Sequence, residues 1–228
     1  MTNSLDLYAK IEPLIGFYDE YEILYSSYLQ LLYPLGVKSV LDIGCGNGKL
    51  LKLLEENDFN SFGIDRSEEM IKRSLSLGVK AEKKELFSLE KNSFECALAV
   101  GDVLNYMRDD ELDKFFDDVK SVVKQDGYFL ADINTQTGFE VADGVMVKDN
   151  ESEFLAVEAN YDDGILTTDI TLFEKDAKLY KKSSGQVLQY FHPKERFEQL
   201  KSFRLAASSP ISMFSDEDEK LLMLFQAI

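Results

Sequence analysis

Apolar residues recur at helical spacing along the N-terminal part of the chain, and the rhythm then changes. From 4 to about 33, Phe17, Tyr21, Leu24, Tyr25, Tyr28, Leu31 and Leu32 fall on one helical face, and Pro34 with Gly36 closes the run. This predicts a helical cap over residues 1–36. Next, short apolar runs alternate with amphipathic stretches. "KSVLDIG", "FNSFGID", "VKAEKK", "FECALAVG" and "YFLADIN" read as strands, separated by the helices "GKLLKLLEEN", "SEEMIKRSLSLG" and "DDELDKFFDDVKSVVKQDG". Strands joined through helices cannot pair as hairpins, so they should lie parallel with helices on both faces. From 135 to 192 the period falls towards two. "EFLAVEANYDDGILTTDITLFEK" carries a DDG turn between two strand-like runs, and "YKKSSGQVLQYF" offers another strand. Pro193 opens a helix, "PKERFEQLKSF", and "RLAASSPISMF" and "KLLMLFQAI" read as a closing pair of strands around "SDEDE". The expected class is α/β: a doubly wound, mostly parallel seven-stranded sheet with an inserted antiparallel β layer. Its core is 37–134 with 193–228, and the layer at 135–192 is placed to cover a substrate.

Length changes this picture little: 228 residues suit one domain, or one domain with an insertion. Charge matters more. With 42 acidic against 25 basic residues and a net charge of −17, the chain would repel a phosphate backbone, and the basic clusters "VKAEKK" and "KLYKKS" lie close to acids. No nucleic-acid partner is expected. Neither an apolar run of membrane-spanning length nor a signal-peptide pattern is seen, so no membrane partner and a cytoplasmic location are expected, as monomer or homodimer. Cys45 and Cys96 make no disulfide framework.

The chemistry starts at "VLDIGCGNGKL". A strand running into a Gly-rich turn and a helix gathers unpaired N–H groups at the carboxyl edge of a sheet. A phosphate loop would need GxxxxGK[ST], but Ile43 precedes Gly48 by five and Leu50 follows Lys49. The dinucleotide pattern GxGxxG fails as well, because Gly44, Gly46 and Gly48 give GxGxG. At the end of the next strand, Asp65 in "FGIDRS" has two readings. Either it accepts hydrogen bonds from both hydroxyls of a ribose, or it caps the following helix with Glu68 completing a capping box.

"VLDIGCGNG" resembles the first motif of the class I methyltransferases that use S-adenosylmethionine, an acidic residue, a spacer and GxGxG. The resemblance covers about 38 to 134 and the final helix and strand pair. It implies a Rossmann-like methyltransferase fold, S-adenosylmethionine as cofactor, and a cofactor site at Asp42, Gly44, Cys45 and Gly46, with Asp65 and its neighbour Arg66 at the ribose. Glu85 is the match for the acid that takes the adenine amino group, and Leu86 would pack on the base or offer it its N–H. Asn92 to Glu95 resembles the family's NSFD, which leaves Gly101 or Asp102 beside the methionine moiety.

Methyl transfer from a sulfonium is an in-line displacement needing orientation and exclusion of water more than covalent help. The segment "FYDEYEILY" is expected to fold over the cofactor, with Tyr18 or Tyr25 near the sulfonium or carboxylate and Tyr106 across the pocket, although aromatics at this spacing equally suit a core. Relatives with a helical cap and a β-rich insertion methylate small molecules, often amines or amino sugars, so the implied function is methyl transfer to a small-molecule amine or hydroxyl. Asn105, Asn134 and Tyr190 are candidates to touch the acceptor. His192, the only histidine, is a candidate base, with Tyr106 and Asn105 as further catalytic candidates. Metal-dependent relatives use carboxylates and an amide after the fourth and fifth strands. Asp102, Asp132 and Asn134 echo that set with the amide one residue displaced, and no metal is expected. The alternatives are an S-adenosylmethionine-binding protein without catalysis and an NAD-dependent oxidoreductase.

Overall fold

The N-terminal helical stripe is broken in two. The computed structural model describes residues 4–16 and 18–228, the side chains at 4, 5 and 18–20 excepted, so Phe17 and the Tyr18 side chain lie outside the described residues. Helix α1, Ser4–Ile15, ends at Gly16, whose left-handed φ of 80° stops it. Helix α2 runs Tyr18–Leu35, with Pro34 in its last turn and Gly36 beyond it at φ 66°. The single helix expected here is corrected to two, because glycine adopts this geometry without steric cost.

Alternation then builds the sheet. Strands β1 (Ser39–Ile43), β2 (Asn60–Asp65), β3 (Ala81–Lys83) and β4 (Phe94–Ala99) alternate with helices α3 (Lys49–Glu56) and α4 (Glu68–Ser76). After β4 comes α5 (Asp109–Val122), then β5 (Val123–Asn134). Here too the expected boundary moves. Helix α5 stops at Val122, and "VKQDG" belongs to β5, where Asp126 takes φ 60° and the pairing with β4 shifts register between Phe94 and Cys96. The last two strands, β10 (Phe203–Ile211) and β11 (Lys220–Ala227), form the predicted closing pair.

The strand order is β10-β11-β5-β4-β1-β2-β3. β1 pairs in parallel with both β2 and β4, β2 with β3, and β4 with β5; β11 runs antiparallel to both β5 and β10. Alternate residues of each strand face opposite sides. Leu41, Ala97, Ala99, Phe129, Ala131 and Phe225 pack against α5 through Leu112, Phe116 and Val119. Val40, Cys96, Leu98, Leu130 and Leu222 pack against α2 and α3 through Leu24, Tyr28, Leu32, Leu50 and Leu54. Both faces are therefore covered, as a doubly wound sheet requires.

Between β5 and β10 lie α6 (Gln136–Ala142), an antiparallel sheet of β6 (Gly144–Asp149), β7 (Glu153–Asp162), β8 (Ile165–Asp176) and β9 (Leu179–Tyr190), and a short α7 (Lys194–Phe197). Pro193 is the cap of α7 rather than its first residue. Leu7 and Ile11 of α1 pack on Leu155, Ile170 and Leu172, and Lys10 pairs with Glu174 at 3.1 Å. Helix α1 is thus held by the inserted sheet on one side. Among the described residues no helix is long and apolar enough to cross a membrane.

Candidate functional site

A cavity of about 680 Å³ opens at the carboxyl ends of β1, β2 and β4. Its floor follows from the glycine turn. Gly44, Gly46 and Gly48 take φ of 75°, 53° and 82°, and the N–H groups of Gly44 and Cys45 both bond the Ile64 carbonyl, at 2.8 and 3.0 Å. Gly63 lets the turn sit on β2: a Cβ there would lie 2.5 Å from Leu51 Cδ1 and 2.7 Å from Cys45 Sγ. Ser74 of α4 donates to the Gly46 carbonyl at 2.7 Å. The turn is therefore fixed from below before anything binds above it.

Asp65 ends β2 at the cavity wall. Its Oδ2 accepts from the Gly46 N–H at 2.9 Å and its Oδ1 from the Ser67 N–H at 2.7 Å. The helix cap is Ser67, whose Oγ accepts from Met70 N–H at 3.3 Å, so the capping reading of Asp65 is corrected. Burial raises the Asp65 pKa, and the Ser67 and Gly46 amides oppose the rise. Asp42, 2% exposed, is pushed up to about 7 by burial and by the charge of Asp65. Arg66 and Glu85 face each other across the rim, with Arg66 Nη2 3.2 Å from Glu85 Oε2.

Of the cofactor residues expected from sequence, Asp42, Gly44, Cys45, Gly46, Asp65, Arg66, Glu85, Leu86, Gly101 and Tyr25 line this one cavity. Tyr106 lines it too. Tyr21, within the segment "FYDEYEILY" expected to fold over the cofactor, lines it as well, and so do Tyr8 and Glu12, which were given no part in the site. Helix α1 brings Tyr8 and Glu12: Glu12 Oε1 accepts from Asn47 Nδ2 at 2.5 Å, and Asp6 Oδ1 accepts from the Ser67 hydroxyl at 2.8 Å. Tyr8 hydrogen-bonds Tyr21, whose Cε1 lies 3.4 Å from where a Gly101 Cβ would be. Burial pushes the Tyr8 phenol up to about 12 and raises those of Tyr25 and Tyr106. Tyr21 is raised first by Tyr8 and then by burial. These phenols stay protonated at neutral pH.

Tyr106 apart, the candidates for acceptor contact and proton removal lie elsewhere. His192 is 3% exposed, contacts the Met107 carbonyl through Nε2 at 3.0 Å, packs on Phe197, and is not among the cavity-lining residues. Burial lowers its pKa. Asn105, fully buried, donates to the Tyr190 carbonyl at 2.9 Å and accepts from the Asn134 N–H at 2.9 Å, tying β5 to β9. Asn134 accepts from Lys220 at 3.0 Å, and Tyr190 Oη accepts from Arg108 Nε at 3.4 Å. These residues brace the loop behind the cavity.

Residues 40–127 match the methyltransferase domain family. A protein of Geobacillus sp. named as a methyltransferase is 28% identical over 126 residues, 52% of this chain and 51% of that one, so the chain spans about half the length of the curated relative it matches. The fold matches an S-adenosylmethionine-dependent methyltransferase from Clostridium acetobutylicum with a TM-score of 0.78 at 21% identity, covering 99% of both chains. It also matches a sugar N-methyltransferase from Streptoalloteichus sp. with a TM-score of 0.72 at 15% identity, covering 98% of this chain and 93% of that one. With the glycine turn, the carboxylate ending β2 and the seven-strand order all in place, residues 40–127 match a methyltransferase domain, and the whole chain has the fold of the S-adenosylmethionine-dependent methyltransferase it is similar to.

Proposed function

We propose that this cavity binds S-adenosylmethionine and that the protein transfers its methyl group to a small-molecule amine. The observation that carries the reading is the convergence of the glycine turn, Asp65, Glu85 and Gly101 on one cavity. Asp65 keeps acceptor capacity for a ribose diol beyond the two amides it already holds. Glu85 and Leu86, after β3, suit an adenine edge and face, which leaves the turn after β1 and the Gly101 loop for the methionine portion. A dinucleotide fits poorly. Glu12 and Asp42 add two carboxylates to the wall at the glycine turn, where a pyrophosphate would have to lie, whereas the cationic methionyl sulfonium and ammonium are welcome there.

The donor supplies an activated methyl group on a good leaving group. The residues of this chain bind, orient and exclude water: α1 roofs the cavity through Tyr8 and Glu12, and Tyr21, Tyr25 and Tyr106 offer rings and hydroxyls to the cationic end. An amine acceptor is favoured over a hydroxyl on chemical grounds. A neutral amine carries its own lone pair and sheds its proton after attack, whereas a hydroxyl needs a base beforehand. The tyrosines are held protonated and His192 is off the cavity. The likeness to a sugar N-methyltransferase supports the same choice.

Calorimetry with S-adenosylhomocysteine and with NAD tests the cofactor, and product formation from a panel of amino sugars, simple amines and matched alcohols tests the acceptor. Binding of the first ligand only, with methylated amines as products, is expected. Tight NAD binding, or methylation confined to alcohols, would overturn the reading. The pH–rate profile gives a sharper check. Its midpoint should follow the pKa of whichever amine is supplied, and His192→Asn should leave it in place. A midpoint that stays fixed across amines of different basicity would mean that the protein supplies the base.

A further inference from the structure

Behind the cavity floor lies a buried ionic cluster that neither the glycine turn nor the tyrosines account for. Lys220, the first residue of β11, is 5% exposed. Its ammonium meets Asp132 Oδ2 at 3.2 Å, Asn134 Oδ1 at 3.0 Å and a carboxylate oxygen of Asp102, so its three donors face three oxygens. Burial opposes its charge, but Asp102 and Asp132 prevail and hold it protonated. The hard-oxygen set that the sequence placed after the fourth and fifth strands is thus filled by the chain's own cation.

The cluster also determines a turn. Gly101 and Asp102 both take left-handed φ, 80° and 68°, an unfavourable conformation for aspartate unless its surroundings impose it. Asp132, fully buried, imposes it. Its Oδ1 accepts from the Gly101 N–H at 2.8 Å and from Tyr28 Oη at 2.7 Å, and its Oδ2 lies 3.3 Å from the Asp102 N–H. Asp102 is pinned by Lys220 on one side and by Gln189 of β9 at 3.3 Å on the other. The residues this turn delivers to the cavity are Gly101, beneath Tyr21, and Val103, whose Cγ2 lies 3.0 Å from where a Gly44 Cβ would be.

We propose that Lys220 is a positioning residue for the methyl-donor site: by holding Asp102 and Asp132 together it sets the Gly101–Asp102 turn against which the methionine portion of the donor rests. This rests on the cofactor reading given above. Without the ammonium, two neighbouring carboxylates lose their common counter-charge in a site that water barely reaches, and the turn has no reason to keep its shape.

The test compares two ligands that share the adenosine end and differ at the methionine end. Adenosine and S-adenosylhomocysteine are titrated calorimetrically into the wild type, Lys220→Met and Lys220→Met/Asp102→Asn, with thermal melting of each. The single variant should melt well below the wild type, and the double variant, which loses one charge of each sign, should recover much of that loss. In the double variant S-adenosylhomocysteine should bind about 10-fold or more weakly, while adenosine stays within about twofold, because only the turn has moved. Wild-type affinity for S-adenosylhomocysteine in the double variant would overturn the proposal, as would equal weakening of both ligands or a double variant melting no higher than the single one. A wild type that binds neither ligand would instead reject the cofactor reading.

Discussion

Asp65→Ala is expected to weaken S-adenosylhomocysteine binding by about 10²–10³-fold while leaving the protein folded. Hydrogen bonds to a charged acceptor are worth about 1.5–3 kcal/mol each, and a ribose offers two hydroxyls to this carboxylate, so the loss should reach several kcal/mol. A second effect acts in the same direction. Asp65 joins the glycine turn to the start of α4 through the N–H groups of Gly46 and Ser67, so its removal also frees the turn that cradles the ligand. Folding should survive, because Ser67 caps α4 independently and the turn keeps its bonds to the Ile64 carbonyl. Calorimetry with circular dichroism on the same sample checks both parts. An affinity within about threefold of the wild type would show that the carboxylate serves only the backbone, a structural role worth about 1 kcal/mol or less.

What made Asp65 legible in sequence was its place at the end of a strand following a glycine turn, since strand ends at one sheet edge are where ligands gather in this architecture. The alternation of apolar runs similarly fixed the order of the main elements, because a period of two and a period near four cannot be confused over whole elements. Where the signal was short or masked by exposure, the reading was incomplete. Strand β6 escaped because Val145 and Val147 are exposed, so no buried face imposed a pattern on "GVMVKD". Helix α6 is seven residues long, with Thr135 as its cap, and falls below the length at which helical periodicity becomes visible. The site divided along the same line. Residues of the glycine turn and the strand ends were readable, because local spacing places them. Lys220 was not, because its partners Asp102 and Asp132 lie 118 and 88 positions away, and a lysine after the acidic run "SDEDE" looks like a surface charge. Tyr8 and Glu12 reach the cavity only because Gly16 breaks the N-terminal helix and lets α1 fold back across it.

Asp42→Asn is expected to stabilise the ligand-free protein at pH 8 and to weaken its hold on the donor. The carboxylate is buried beside Asp65, and its pKa is pushed up from 3.8 to about 7. In the window between these values the folded chain binds more protons at this site than the unfolded chain does, so stability falls as pH rises through it. Above about pH 7 the whole penalty is in force, on the order of 4 kcal/mol. Asparagine carries no charge at any pH and escapes the penalty. The variant should therefore melt about 8–16 °C above the wild type at pH 8, with the gap closing as the pH falls below 3.8, where Asp42 is protonated in both states. A cationic ligand reverses the preference. The charge that burial makes unfavourable in the empty site becomes an attraction once an ammonium or sulfonium shares the cavity, so saturating S-adenosylmethionine should raise the wild-type melting temperature more than that of the variant. A melting difference independent of pH would mean that Asp42 is already neutral or compensated in the empty site. The destabilised carboxylate would then not be what the glycine turn holds ready for the donor's positive charge.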